Sequence, residues 1–118
     1  MDEKRLYSRV PFKTRVTVKW QNLEIPGRLI DLALKGALLE FSDPPGFKKG
    51  EEVELIIELP SSLEVMTFGC RVAHAEGNSA GLVILTADVE SVTHLRRLLE
   101  LNLGDPEQIS RELSQWLD

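Results

Sequence analysis

Glu52-Val53-Glu54-Leu55-Ile56-Ile57-Glu58-Leu59 decides the fold, because Val53, Leu55, Ile57 and Leu59 alternate there with Glu52, Glu54, Ile56 and Glu58. Period two marks a strand with one face on a core and the other in water. Lys48-Lys49-Gly50 turns into it and Pro60-Ser61-Ser62 ends it. Upstream, residues 13–20 alternate in the same way, with Val16, Val18 and Trp20 on one side and Arg15, Thr17 and Lys19 on the other. Residues 21–27 read as a turn region closed by Pro26-Gly27, 28–32 as a second strand and 37–41 as a third. That third strand stops at loop 42–46, since Pro44 and Pro45 cannot donate to a ladder. Downstream, residues 65–75 form a fifth strand bent near Gly69, and 80–85 a sixth after a turn at 76–79. Six short strands punctuated by Gly and Pro predict a small antiparallel barrel, whose closure removes exposed edges.

The period changes after Asp88. Val92, Leu95, Leu98 and Leu99 form one apolar stripe over residues 89–103, which predicts an amphipathic helix ended by Gly104. Asp105 then caps a second helix with Pro106 at its first position and Gln108 three residues after the cap; Ile109, Leu113, Trp116 and Leu117 make its buried stripe. The two helices pack on the barrel or on a neighbouring chain, the second option giving a homodimer. The expectation is therefore a single, mainly β domain over residues 1–118: an N-terminal segment at 1–12, a six-stranded antiparallel barrel at 13–87 and two α-helices at 88–118.

Charge is divided unevenly along the chain. Residues 1–20 hold six basic side chains (Lys4, Arg5, Arg9, Lys13, Arg15, Lys19) against Asp2 and Glu3, whereas the whole chain carries a net −5. That acidity argues against broad DNA or RNA binding, which rests on neutralising many phosphates, and leaves room for a small anionic ligand. A barrel for single-stranded nucleic acid is disfavoured further by the lack of aromatic platforms. Cys70 is the sole cysteine, and no apolar run approaches the ~20 residues that span a bilayer. With the polar start Met1-Asp2-Glu3-Lys4, this predicts a cytoplasmic protein.

Arg5 and Arg9 stand four apart in Arg5-Leu6-Tyr7-Ser8-Arg9. A guanidinium is a planar, permanently charged fork that fits phosphate or the edge of guanine with two parallel hydrogen bonds. Val10-Pro11-Phe12 leads this segment into the first strand without a helix. Downstream, Asp31-Leu32-Ala33-Leu34-Lys35-Gly36 is a polar break between two apolar runs, where Gly36 is expected to permit positive φ and a close approach to the backbone.

Taken in this order, the two motifs make the chain resemble the PilZ domain family, whose pattern is Arg-x-x-x-Arg followed by Asp or Asn-x-Ser-x-x-Gly at a strand turn. Arg5 and Arg9 match the first element; Asp31 and Gly36 match the second, with Ala33 where the family usually has Ser. The resemblance implies a PilZ-like barrel and binding of the bacterial second messenger cyclic di-GMP through Arg5, Arg9, Asp31, Ala33 and Gly36, with no cofactor and no catalysis. In that reading the arginines grip phosphate oxygens or the O6/N7 edge of guanine, and Asp31 accepts from guanine N1–H and N2–H2. Ala33 forgoes about one neutral hydrogen bond, roughly 0.5 to 1.5 kcal/mol. The basic leader frays without ligand and orders with it, signalling to a protein partner such as pilus, flagellar or regulatory machinery. The alternative is a PilZ-fold interaction module that does not bind the nucleotide.

Other chemistry has less support. Cys70 and His74, four apart, are expected on one strand face, and His94 beside Arg96 and Arg97 on a solvated helix face; three scattered candidates do not make a metal site. Glu51, Glu52, Glu54 and Glu58 read as a solvated strand face. There is no Gly-rich phosphate loop and no nucleophile with an evident base, so an enzyme is not expected.

Overall fold

The computed structural model describes residues 10–60, 63–103 and 111. Six strands, β1 (Val10–Trp20), β2 (Leu23–Leu32), β3 (Gly36–Glu40), β4 (Glu52–Glu58), β5 (Val65–Glu76) and β6 (Ser79–Ala87), are followed by helix α1 (Val89–Leu103). They close into an antiparallel barrel in the order β1-β2-β3-β6-β5-β4, with β4 pairing back on β1. Alternation in β4 follows the sequence: Val53, Leu55 and Ile57 are buried and Glu52, Glu54 and Glu58 exposed. The same rule places Val16 and Val18 inside β1, and Leu29, Leu39, Met66, Phe68 and Ile84 in the shared core.

Residues 21–27 are not a turn region. The connection is the two residues Gln21 and Asn22, with Trp20 paired to Leu23 and Gln21 at φ 57°. Pro26 and Gly27 lie inside β2. Pro26 is tolerated because β2 is an edge there: Pro26 faces Thr17 of β1, and pairing with β3 begins only at Arg28. The third strand begins one residue early, at Gly36, and Phe41 instead buries its ring beyond the end of the strand. Glu51 also departs from expectation. Its carboxylate is half-buried and accepts from Lys48 N–H at 2.7 Å and Trp20 Nε1–H at 3.2 Å, tying the loop before β4 to the end of β1.

α1 has the predicted bounds and packs on β5 and β1, burying Leu95, Leu98 and Leu99. Asp88 is its N-cap: Oδ1 accepts from Ser91 N–H at 2.7 Å, and the buried Ser91 Oγ accepts from Thr67 N–H at 2.9 Å, fastening the first turn to β5. The Ser91 backbone bond, then its side-chain bond, hold the Asp88 carboxyl below its ordinary 3.8, with His94 assisting. A depressed folded value means stabilisation that is complete above the unfolded value and lost as pH falls through the folded one. Asp88→Asn, which keeps the acceptor but cannot titrate, is expected to lose less stability than the native chain between neutral pH and a pH well below 3.8 in denaturant melts.

His94 is not on a solvated face; its Nε2 lies 3.4 Å from Glu64 Oε1 and its side chain is 20% exposed. The second helix expected at 105–117, Trp116 and the homodimer it was to build lie outside the described residues, apart from Arg111, which is helical and exposed. Among the described residues no helix is long and apolar enough to cross a membrane.

Candidate functional site

The Asp31-to-Gly36 motif forms the β2–β3 hairpin. Ala33 N–H donates to Gly36 O at 2.9 Å and Gly36 N–H to Ala33 O at 3.4 Å, so Leu34 and Lys35 are the two residues of the connection. Leu34 is fully buried and anchors the turn in the core. Lys35 straps it to β6: its carbonyl accepts from Ile84 N–H at 2.8 Å, and its Nζ donates to Ile84 O at 3.3 Å. Gly36 does not adopt positive φ, contrary to expectation. Its role is close approach, since a Cβ there would sit 3.1 Å from Leu82 O on β6.

Asp31 owes its direction to a bulge. Leu29 pairs with Leu39 and Asp31 with Leu38, so Ile30 is an extra residue on β2. Strict alternation from the inward Leu29 would aim Asp31 into the core; with the bulge, Leu29 and Leu32 are both fully buried and Asp31 turns to the outer, half-buried face. Its carboxylate has no hydrogen bond or ion pair among the described residues. On its other side, Asp31 pairs with Pro11 and Leu32 with Val10. Arg5 and Arg9 lie outside the described residues, but the chain that follows Arg9 enters the barrel beside Asp31.

A second bulge corrects the expected placement of His74. Val72 pairs with Leu82 and His74 with Gly81, leaving Ala73 as the extra residue. Cys70 and His74 therefore fall on opposite faces: Cys70 is buried, with desolvation pushing its thiol up to about 12, and His74 is exposed on the outside. The pair cannot share a metal. Sequence reasoning did not detect this bulge, although buried Val72 and half-buried Ala75, three apart, carry the same signal as Leu29 and Leu32.

The registers combine into one row across five strands: Pro11, Asp31, Leu38, Gly81 and His74. At a strand spacing of about 4.8 Å, Asp31 and His74 stand on the order of 14 Å apart along the sheet. The outer face here holds a groove of about 580 Å³ lined by Ala33, Lys35, Gly36, Leu38, His74 and Gly81, among others. Gly36, Ala73 and Gly81 keep its floor low. A wider groove of about 790 Å³, bounded by Arg15, Arg28, Glu40 and the 42–45 loop, contains none of Asp31, Ala33 and Gly36, the described residues among those singled out from the sequence. The smaller one holds Ala33 and Gly36, with Asp31 next to Leu38 at its margin.

Known proteins agree with this architecture. The PilZ domain model matches residues 3–101. The PilZ domain with c-di-GMP of YcgR from Escherichia coli superposes with a TM-score of 0.65 at 18% identity, covering 92% of this chain and 95% of that one. The PilZ domain of CeSA from a cellulose-synthesizing bacterium gives 0.61 at 18% identity, covering 82% and 96%. The Bacillus subtilis inhibitor of motility MotI/DgrA gives 0.65 at 20% identity over 80% of this chain, which spans about 50% of that protein's length. At these identities the structural likeness is one of fold, and the family match over residues 3–101 carries the assignment: the chain belongs to the PilZ domain family.

Proposed function

We propose that this chain is a cyclic di-GMP receptor without catalysis of its own, binding the dinucleotide between the Arg5–Arg9 segment and the Asp31-to-Gly36 hairpin. One observation carries the reading: Pro11 pairs with Asp31, so the arginine segment joins the barrel next to an outward carboxylate that has no partner among the described residues. Asp31 accepts from guanine N1–H and N2–H2, a donor pair that adenine lacks, while Arg5 and Arg9 hold phosphate oxygens or the guanine O6/N7 edge. Each bidentate contact contributes about 1 to 3 kcal/mol, so three or four of them, toward the upper part of that range, supply the ~8 kcal/mol of micromolar affinity. YcgR was solved with c-di-GMP, which favours the same ligand here. Ordering of the N-terminal segment on binding then changes the surface that a protein partner meets.

Ala33 favours a second reading, a non-binding interaction module, because it lines the groove at the position where the family's Ser would offer a hydroxyl. Titration calorimetry separates the two. The native chain is expected to bind cyclic di-GMP at micromolar concentration and Arg9→Ala about tenfold more weakly, with amide exchange over residues 1–12 slowed by nucleotide only in the native chain. No heat from the native chain would favour the interaction module; equal exchange with and without saturating nucleotide would remove the ordering step.

A further inference from the structure

On α1, Glu90 and His94 are four residues apart, the spacing that sets two side chains on one helix face, and they meet Glu64 from the segment that enters β5. The ligating atoms of the three, one from each side chain, all lie within 4.8 Å of one another. Backbone bonds hold both sides of this cluster. Glu64 continues the β4–β5 ladder, its carbonyl accepting from Leu59 N–H at 3.2 Å, while Ser91, next to Glu90, accepts from Thr67 N–H of β5 through its Oγ at 2.9 Å. Only side-chain ends have to move for the three groups to converge further. The charge here is one-sided: neither residues 59–66 nor residues 88–95 contain Lys or Arg, so Glu64, Asp88 and Glu90 gather around a single imidazole.

We infer that Glu64, Glu90 and His94 form a binding site for a divalent transition-metal ion of the zinc class, which ties the start of α1 to the segment entering β5. One imidazole nitrogen and two carboxylate oxygens are a donor set that zinc accepts, whereas calcium and magnesium take oxygen alone. Two donors on a tetrahedral zinc stand about 3.4 Å apart, given bonds of about 2.1 Å. His94 Nε2 and Glu64 Oε1 already have that separation, 3.4 Å. Glu90 is exposed, so its carboxylate can swing in to supply the third donor, and water completes the fourth position as in open three-ligand zinc sites. An ion pair between His94 and Glu64 would account for those two residues alone; the third donor, brought to the same point from a different turn of the helix, is what favours a cation. None of the three residues lines either groove on the barrel, so the site is separate from the one proposed for the dinucleotide.

The test is titration calorimetry of zinc chloride into the tag-free, chelator-treated full chain, with circular dichroism as a check on folding. The native chain is expected to bind one zinc ion at micromolar concentration. His94→Ala should bind more than about a hundredfold more weakly, because loss of a residue that merely supports a ligand already costs about 10- to 100-fold. Glu90→Gln changes an exposed side chain outside the His94–Glu64 contact and should bind at least about tenfold more weakly, which keeps the test independent of how well His94→Ala folds. His74→Gln, which alters the other histidine of the chain, should leave zinc affinity unchanged. Zinc at about a hundred times its Kd should raise the thermal midpoint of the native chain by on the order of 10 °C, and calcium at the same concentration should not. Absence of zinc binding below millimolar concentration, equal affinity in Glu90→Gln and the native chain, or a midpoint shift as large with calcium would each overturn the inference.

Discussion

Asp31→Ala is expected to weaken cyclic di-GMP binding about a hundredfold, the upper end of a bidentate base contact, without moving the thermal midpoint. Both halves follow from the β2 bulge. Because Ile30 is the extra residue, the carboxylate stands on the outer face, half-buried and without a partner among the described residues. Removing it breaks no native bond there, so stability should stay within about 0.5 kcal/mol of the native chain. In the complex, the loss leaves guanine N1–H and N2–H2 without an acceptor in a partly desolvated place, the costly form of a missing hydrogen bond. Asp31→Asn, with one acceptor and an amide that opposes the second donor, should fall between the two. Selectivity is the sharper readout: the native preference for cyclic di-GMP over cyclic di-AMP should shrink in Asp31→Ala, since the arginines do not depend on that donor pair. A variant that binds as tightly and as selectively as the native chain would remove Asp31 from the site.

The same bulge shows where sequence reading stops. Strand β4 was legible because its alternation is unbroken, and α1 because Val92, Leu95, Leu98 and Leu99 fit a helical stripe with Asp88 before it. The bulges at Ile30 and Ala73 were not legible, because whether a residue is extra depends on what lies opposite, and the partners sit on other strands. Their trace is local and weak: two apolar residues three apart where strict alternation allows two or four. Period two therefore put Cys70 and His74 on one face, and interstrand register separated them. Pro26-Gly27 misled for a related reason. Such a pair usually marks a turn, but Pro is harmless on a stretch paired on one side only, and the Gly answers a need created by a residue fourteen positions later. The motif residues Asp31, Ala33 and Gly36 were placed correctly on a hairpin, though Gly36 serves contact with Leu82 and not positive φ.

Gly27→Val is expected to destabilise the domain by about 3 kcal/mol, the upper end of the range for overpacking, or roughly 10 °C in thermal midpoint for a chain of this size. Gly27 lies opposite Val16 in mid-strand and does not have positive φ, so backbone strain is not the reason. The space its side chain would take is filled: a Cβ would stand 2.7 and 2.8 Å from Phe41 Cε1 and Cδ1, and 3.2 Å from the Glu40 carbonyl oxygen. Phe41 cannot swing away as an exposed side chain would. It is 4% exposed and packs edge-on against Phe47 at 5.8 Å, and Phe47 packs in the same way against Trp20 at 6.0 Å. Displacing the first ring disturbs all three, as well as the closure of the β3–β4 loop over this end of the barrel. Placing Phe41→Leu in the Gly27→Val background tests the cause. If the clash is with the ring, the second change should recover part of the loss, giving a coupling of about 0.5 to 3 kcal/mol between the two sites. Simple addition of the two losses would mean that the backbone contact at Glu40 sets the cost, and that the aromatic row is not what requires glycine at position 27.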